Sequence, residues 1–199
     1  MKLRRRLFNA LALHALATAA ISAGWVTMTI AAQGDAKAPN EVQAALINPR
    51  LQGQGSVRFL GLRIYDASLW TVAGQPATVA SWSLPLAMDI RYLRSLQGQQ
   101  IAERSLQEMK RQGDIDEPTA QRWLQAMQGL FPDVKEGSRI TGVNLPQVGV
   151  RFYVDGGDRG AVNEPEFARR FFGIWLSPQS SDLKLRAALL GPGNGLGTP

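Results

Sequence analysis

The 199-residue chain contains no cysteine and a single histidine, His14. Without cysteine there is no disulfide, no thiolate nucleophile and no lipid-modified N-terminal cysteine. His14 falls in an N-terminal segment that reads as a leader, so the remaining chain lacks imidazole as well. That pair of absences excludes Cys and His nucleophiles, the Ser-His-Asp triad and most transition-metal sites. Tyr, Lys, Arg, Asp and Glu are left as the available chemistry, with no metal and no cofactor expected. Net charge is also scarce once it is located. Lys2, Arg4, Arg5 and Arg6 hold four of the 22 bases with no acid beside them, which leaves 18 bases against 16 acids elsewhere. A near-balanced domain has no basic stripe of the kind nucleic acid requires, so no nucleic-acid partner is expected.

The four leading bases are followed by Leu7 to Ala32 without a charge, the order of an export signal. The apolar run exceeds a usual signal core and is long enough to span a bilayer, so both a cleaved signal peptide and an uncleaved anchor fit residues 1–32. Small residues near Ala23 and at Ala31-Ala32 offer cleavage positions. Either way the domain is expected outside the cytoplasm, periplasmic or otherwise exported, touching membrane only through this segment if it is retained. Residues 33–50, small, polar and proline-punctuated, read as a tether and lead-in on which no fold depends, 51–191 as one domain, and 192–199 as a disordered tail. A monomer is expected.

Within the domain, residues 56–72 are rich in β-formers and read as a hairpin turning at Gly61. Leu84, Leu86, Met88, Ile90 and Tyr92 alternate with the residues between them, the pattern of a one-sided strand, and Pro85 favours an early or edge position. Two amphipathic helices follow, over 98–112 and from Pro118 to Leu130, then strands at 138–144 and 148–154 closed by the Asp155-Gly156-Gly157-Asp158 turn. That turn is expected to lead directly into a helix over 163–176. There Asn163 and Glu166 form a capping-box pattern, Phe167, Phe171, Ile174 and Trp175 share one face, and Arg169 and Arg170 point to water. Ser180 or Ser181 caps a last helix ending at Gly191. This order gives an α+β domain, a mostly antiparallel sheet with helices packed on one face. Gly53-x-Gly55 lacks the following helix of a dinucleotide fingerprint and reads as structural, as do the basic residues of the 98–112 helix, which are interspersed with acids.

Four stretches, 53–70, 88–113, 131–142 and 149–191, resemble the chalcone-isomerase-like family in a bacterial exported branch. The last is the most specific, with Phe-Phe-Gly-Ile-Trp-Leu at 171–176 followed by Leu-Lys-Leu-Arg-Ala-Ala-Leu-Leu-Gly at 183–191. The resemblance implies an open-faced β-sandwich whose large sheet is covered by helices. It also implies a choice between plant enzymes that close chalcones into flavanones and relatives that bind fatty acids. The plant motif is Gly-Gln-Gln-Tyr with an Asn seven residues after the Tyr. Here the run is Gly98-Gln99-Gln100-Ile101 and the later position is Glu108, so the phenol and the amide are both replaced. Ile offers no hydrogen bond to a developing oxyanion, and chalcone isomerase activity is not expected.

Three functions remain open. The first is a non-catalytic binder of an apolar carboxylate ligand such as a fatty acid. The second is an isomerase or lyase acting on an enone-type molecule through orientation and an arginine. The third is an envelope accessory protein without a small ligand. For the first, the resemblance places the ligand's charged end at Arg58, which follows Gly53-x-Gly55, with Tyr65 as second donor and Arg94 in reserve. Guanidinium suits the role because it stays charged when partly buried and grips a carboxylate with two parallel hydrogen bonds. Ser56 and Val57 separate the glycine from Arg58 where the family pattern has one residue. A one-residue slip turns a strand's side chains over, so Arg58 on the solvent face is the competing reading.

Overall fold

The computed structural model describes residues 36–78 and 83–191. The segments expected to be a leader (1–32) and a disordered tail (192–199) lie outside the described residues. Six strands, β1 (Pro49–Phe59), β2 (Leu62–Val72), β3 (Leu86–Tyr92), β4 (Arg139–Leu145), β5 (Gly149–Val154) and β6 (Gly157–Val162), form one antiparallel sheet in sequence order. Five helices accompany them: α1 (Asn40–Ala45), α2 (Gly98–Lys110), α3 (Glu117–Leu130), α4 (Pro165–Leu176) and α5 (Leu183–Leu190).

The β1–β2 hairpin turns at Leu60 and Gly61 with φ of 48° and 79°, and β5–β6 turns at Asp155 and Gly156 with 49° and 84°. Positive φ at both central residues is the turn geometry whose twist matches that of the strands. The helical hairpin α2–α3 departs from the sheet after β3 and returns to β4. Its two ends are pinned by paired bonds between Leu96 and Val134 and by Asp133, whose Oδ1 accepts Gly98 N–H at 2.9 Å. Gly98 must be glycine, because a Cβ there would lie 2.1 Å from the Phe131 carbonyl oxygen.

Helices α2 to α5 cover one face of the sheet, and α4 supplies its centre. Phe167 and Phe171 are buried with Ile174 and Trp175 as the spacing predicts. Phe171 packs edge-to-face on Phe152, Phe172 and Trp175 with centroids 5.0, 5.5 and 5.4 Å apart, the preferred aromatic arrangement. Gly142 on β4 makes the room, since an added Cβ would sit 3.1 Å from the Phe171 ring.

Several local expectations are corrected. Asp155-Gly156 leads into β6 rather than into a helix. That strand, Gly-Asp-Arg-Gly-Ala-Val, is an exposed edge whose glycines and charges hide any alternation. Helix α4 is capped at Glu164 with no side-chain capping bond, and Glu166 instead accepts from Arg169 Nε at 2.7 Å and Arg170 Nε at 2.9 Å. Arg170 does not simply face water, because it donates to the Gly113 and Asp114 carbonyls at 2.9 and 3.2 Å and ties α4 to the α2–α3 loop. The cap of α5 is Asp182, which accepts Leu185 N–H at 2.9 Å, not a serine. Residues 36–50, the described part of the expected tether and lead-in, do more than tether. Val42 and Leu46 bury against Trp70, Ala87 and Val143 on the sheet's other face. Glu41 accepts from Thr141 Oγ1 at 2.9 Å and pairs with Arg139, which also donates to Asp89 at 2.9 Å. The alternating strand β3 is therefore buried on both sides at this corner, and it lies third in the sheet, so of the two positions that Pro85 favours it is the early one that holds, with Pro85 just before Leu86.

Candidate functional site

Between the helix-covered face of the sheet and helices α2, α4 and α5 lies a cavity of about 470 Å³. Its floor is built by alternate residues of neighbouring strands, among them Val57 on β1, Tyr65 on β2, Met88, Ile90 and Tyr92 on β3, and Ile140 and Gly142 on β4. The roof comes from Phe171, Ile174 and Trp175 on α4 and from one stripe of α2. The sides are closed by Phe131 and by the turn before α5, where Ser180, Ser181 and Asp182 stand.

Among the described residues, the stripe of α2 holds the cavity's one guanidinium. Ile101, Arg104, Ser105 and Glu108 lie at i, i+3, i+4 and i+7, one helix face, and all four line the cavity. Arg104 Nη2 binds Glu108 Oε1 at 2.5 Å, and Arg111 Nε stands 3.5 Å from Oε2. The Glu108 side chain is only 7% exposed, and its Oε2 receives no hydrogen bond, only that longer ion pair. Arg111 lies outside the cavity lining, so Arg104 is its one guanidinium, beside the carboxylates of Glu108 and Asp182. Opposite it, Tyr65 accepts a hydrogen bond from Trp175 Nε1 at 3.0 Å, which fixes the phenol oxygen while its O–H stays available as a donor. Burial, moderated by that bond and reinforced by the Glu108 charge, pushes the Tyr65 pKa up to about 12, so the phenol is neutral at physiological pH. Burial raises the Tyr92 pKa further.

Of the three residues that sequence reasoning placed at the ligand's charged end, the structure brings one to the cavity. Tyr65 is in its wall. Arg58 is exposed and donates to Gly61 O at 3.3 Å, while its neighbours Val57 and Phe59 line the cavity. A register irregularity between Val57 and Arg58 accompanies this, and the solvent-face reading is the one the structure supports. Arg94 is exposed too and donates to the Arg63 carbonyl at 3.2 Å. The residue that was missed is Arg104. Its signal was present, because it lies between Ile101 and Glu108 on their shared helical face, but an arginine among acids on an amphipathic helix looks like an ordinary solvated one. Gly53 and Gly55 are structural, as expected. A Cβ on Gly53 would lie 2.2 Å from the Ala188 carbonyl oxygen and one on Gly55 2.6 Å from Leu185 Cδ1, so both glycines let α5 rest on β1.

Comparison with known proteins places this geometry among relatives. An uncharacterized protein of Haemophilus influenzae is 27% identical over 128 residues, a stretch covering 64% of this chain and 61% of that protein's length. The crystal structure of a fatty-acid binding protein of Arabidopsis thaliana superposes with a TM-score of 0.58 at 17% identity. The match covers 73% of this chain and 89% of that one, and shows a shared fold. The sequence model of the chalcone isomerase-like family matches residues 31–191, which takes in all six strands and all five helices, and the chain belongs to that family.

Proposed function

We propose that this chalcone isomerase-like domain is a non-catalytic binder of an apolar small molecule ending in a carboxylate, such as a fatty acid, and that it acts outside the cytoplasm. The observation that carries this reading is the cavity itself. Its volume lies within the range of small-molecule sites, its walls are largely aliphatic and aromatic, and its few polar groups stand on α2, at Tyr65 and Tyr92, and at the turn before α5. The fold shared with a plant fatty-acid binding protein adds support. The charged end of the ligand is assigned to Arg104, with the Tyr65 O–H as second donor. Arg104 spends part of its five-donor fork on Glu108, and its remaining donors suit one further anion. Ile101, which stands where plant isomerases carry the tyrosine, contributes only apolar wall.

Uptake of a fluorescent fatty acid by the purified chain, with mass spectrometry of lipid carried from the native compartment, tests the reading. Saturable binding together with a co-purified carboxylic acid is expected, and the absence of both would end it. Export rests on Lys2, Arg4, Arg5 and Arg6 followed by the uncharged Leu7 to Ala32. N-terminal sequencing is expected to find a start between Ala23 and Ala36. Intact Met1 in the membrane fraction would replace the signal with an anchor.

A further inference from the structure

The tip of the β1–β2 hairpin exposes Phe59, Leu60 and Leu62 at 66%, 85% and 51%, three of the six large exposed hydrophobics among the described residues. Leu60 stands in the left-handed region at φ 48°, where a side chain beyond Gly, Asn or Asp is strained. The same turn geometry between β5 and β6 is made with Asp155-Gly156, the sequence such turns favour. An exposed, strained leucine at a turn tip contributes nothing to folding that an asparagine would not do better, which points to a role outside the fold.

The surroundings of the tip name the partner. Arg58 and Arg63 stand directly across from each other in the register, a like-charge pair that a hairpin ordinarily avoids. Arg94 joins them through its bond to the Arg63 carbonyl. One carboxylate, Asp66, is bonded to this group, at 2.6 Å from Arg63, so three guanidinium groups face one acid. Apolar side chains ringed by arginines complement the interface of an anionic bilayer, where the apolar groups enter the acyl boundary and the cations meet headgroups.

The tip also stands at the cavity. Phe59 lines it, as do exposed Gln100 and Arg104. Helix α5 runs antiparallel to β1, with Leu189 over Gly53 and Leu185 over Gly55, so its N-terminal end with exposed Leu183 approaches the same rim. We propose that the hairpin tip at Phe59, Leu60 and Leu62, with Arg58, Arg63 and Arg94, docks on an anionic lipid surface and holds the cavity mouth against it. An apolar ligand would then pass between bilayer and cavity without crossing water. The docking rests on the tip alone; only its purpose rests on the proposed ligand binding.

The absence of cysteine makes a clean test possible. In the full chain, Leu62→Cys carries an environment-sensitive fluorophore, and Val148→Cys carries it at the opposite end of the sheet. Both proteins are mixed with vesicles of one part phosphatidylglycerol to two parts phosphatidylcholine that contain nitroxide-labelled lipid. The probe at position 62 is expected to shift to the blue and be quenched, the probe at 148 to stay in water. Molar salt or vesicles of phosphatidylcholine alone should weaken the effect. Arg58→Glu and Arg94→Glu should each lower tip partitioning about fivefold or more. Leu60→Asn should raise the melting temperature while reducing quenching at 62, a pair of changes that a purely structural leucine would not give. Equal quenching at 62 and 148, or none at 62, would overturn the proposal. No fatty acid is needed for this readout, so its failure leaves the cavity reading standing, and loss of the cavity reading leaves docking to be judged separately.

Discussion

Removing the Arg104 guanidinium takes away the cavity's own cation and one hydrogen-bond partner of buried Glu108. A charge-assisted bond contributes about 1.5–3 kcal/mol, so Arg104→Ala should weaken fatty-acid affinity by about tenfold or more in a displacement titration. Arg58→Ala and Arg94→Ala should leave it unchanged, since neither side chain lines the cavity. The reverse pattern would return the charged end to the hairpin. Tyr65 was reached through the family resemblance and not through the pattern of its strand, where both parities are mixed. Arg58 was not placed by sequence because the face of a strand residue depends on the irregularity next to Val57, which exists only in the pairing with β2. Glu164 supports a prediction about pH. It accepts from Arg122 Nε and Nη2 at 3.0 and 2.9 Å and from the buried Trp123 Nε1 at 2.9 Å. The bond from Arg122, opposed by partial burial and aided by Trp123, holds its pKa below the ordinary 4.5. A lowered folded-state pKa stabilises the fold above about pH 4.5, and that contribution is lost as pH falls through the lowered value. Urea unfolding at successive pH values should show a smaller acid loss for Glu164→Gln than for wild type. Glu164→Ala should cost about 1–3 kcal/mol at neutral pH by orphaning Trp123 Nε1.

Elements were legible where burial followed a period and obscure where packing broke it. Helices α2 and α3, the Gly61 hairpin, β3, β4, β5 and the aromatic face of α4 were all placed from the residue pattern, although β3 and β4 are buried on both faces, the second covered by the segment around α1. The first half of β1 was not, since Gly53 gives up strand propensity to admit the backbone of α5 and Gly55 to admit its side chains. Gly53→Ala is therefore expected to displace α5 and cost several kcal/mol in denaturant unfolding, more than a glycine-to-alanine change in open space could. A cost under about 1 kcal/mol would show that α5 does not rest on that strand. Helix α1 was missed because a single turn and a half carries too few residues to show a period. Val42 is nonetheless fully buried, so Val42→Ala should destabilise the domain by about 1–3 kcal/mol, where a mere tether would tolerate it.

At the scale of the whole molecule, one antiparallel sheet carries a packed aromatic core beneath α4 and, beside it, a cavity the side chains do not fill. The sequence pattern could place apolar faces on both sides of that space but not reveal that they stop short of meeting. Such a void is costly in a fold that gains nothing from it, and a ligand that fills it should stabilise the native state. At a free concentration one hundred times its Kd, the expected gain is about 2.7 kcal/mol, seen as a concentration-dependent rise in melting temperature. The most direct measurement is titration of the purified chain with a fluorescent long-chain fatty acid, for wild type and for Ile101→Trp, whose larger ring would occupy the cavity beneath α2. The account predicts saturable, one-to-one binding that unlabelled fatty acid displaces in the wild type. In the Ile101→Trp variant binding should be lost while cooperative unfolding is retained. No saturable binding by the wild type, or equal binding by the folded variant, would contradict it.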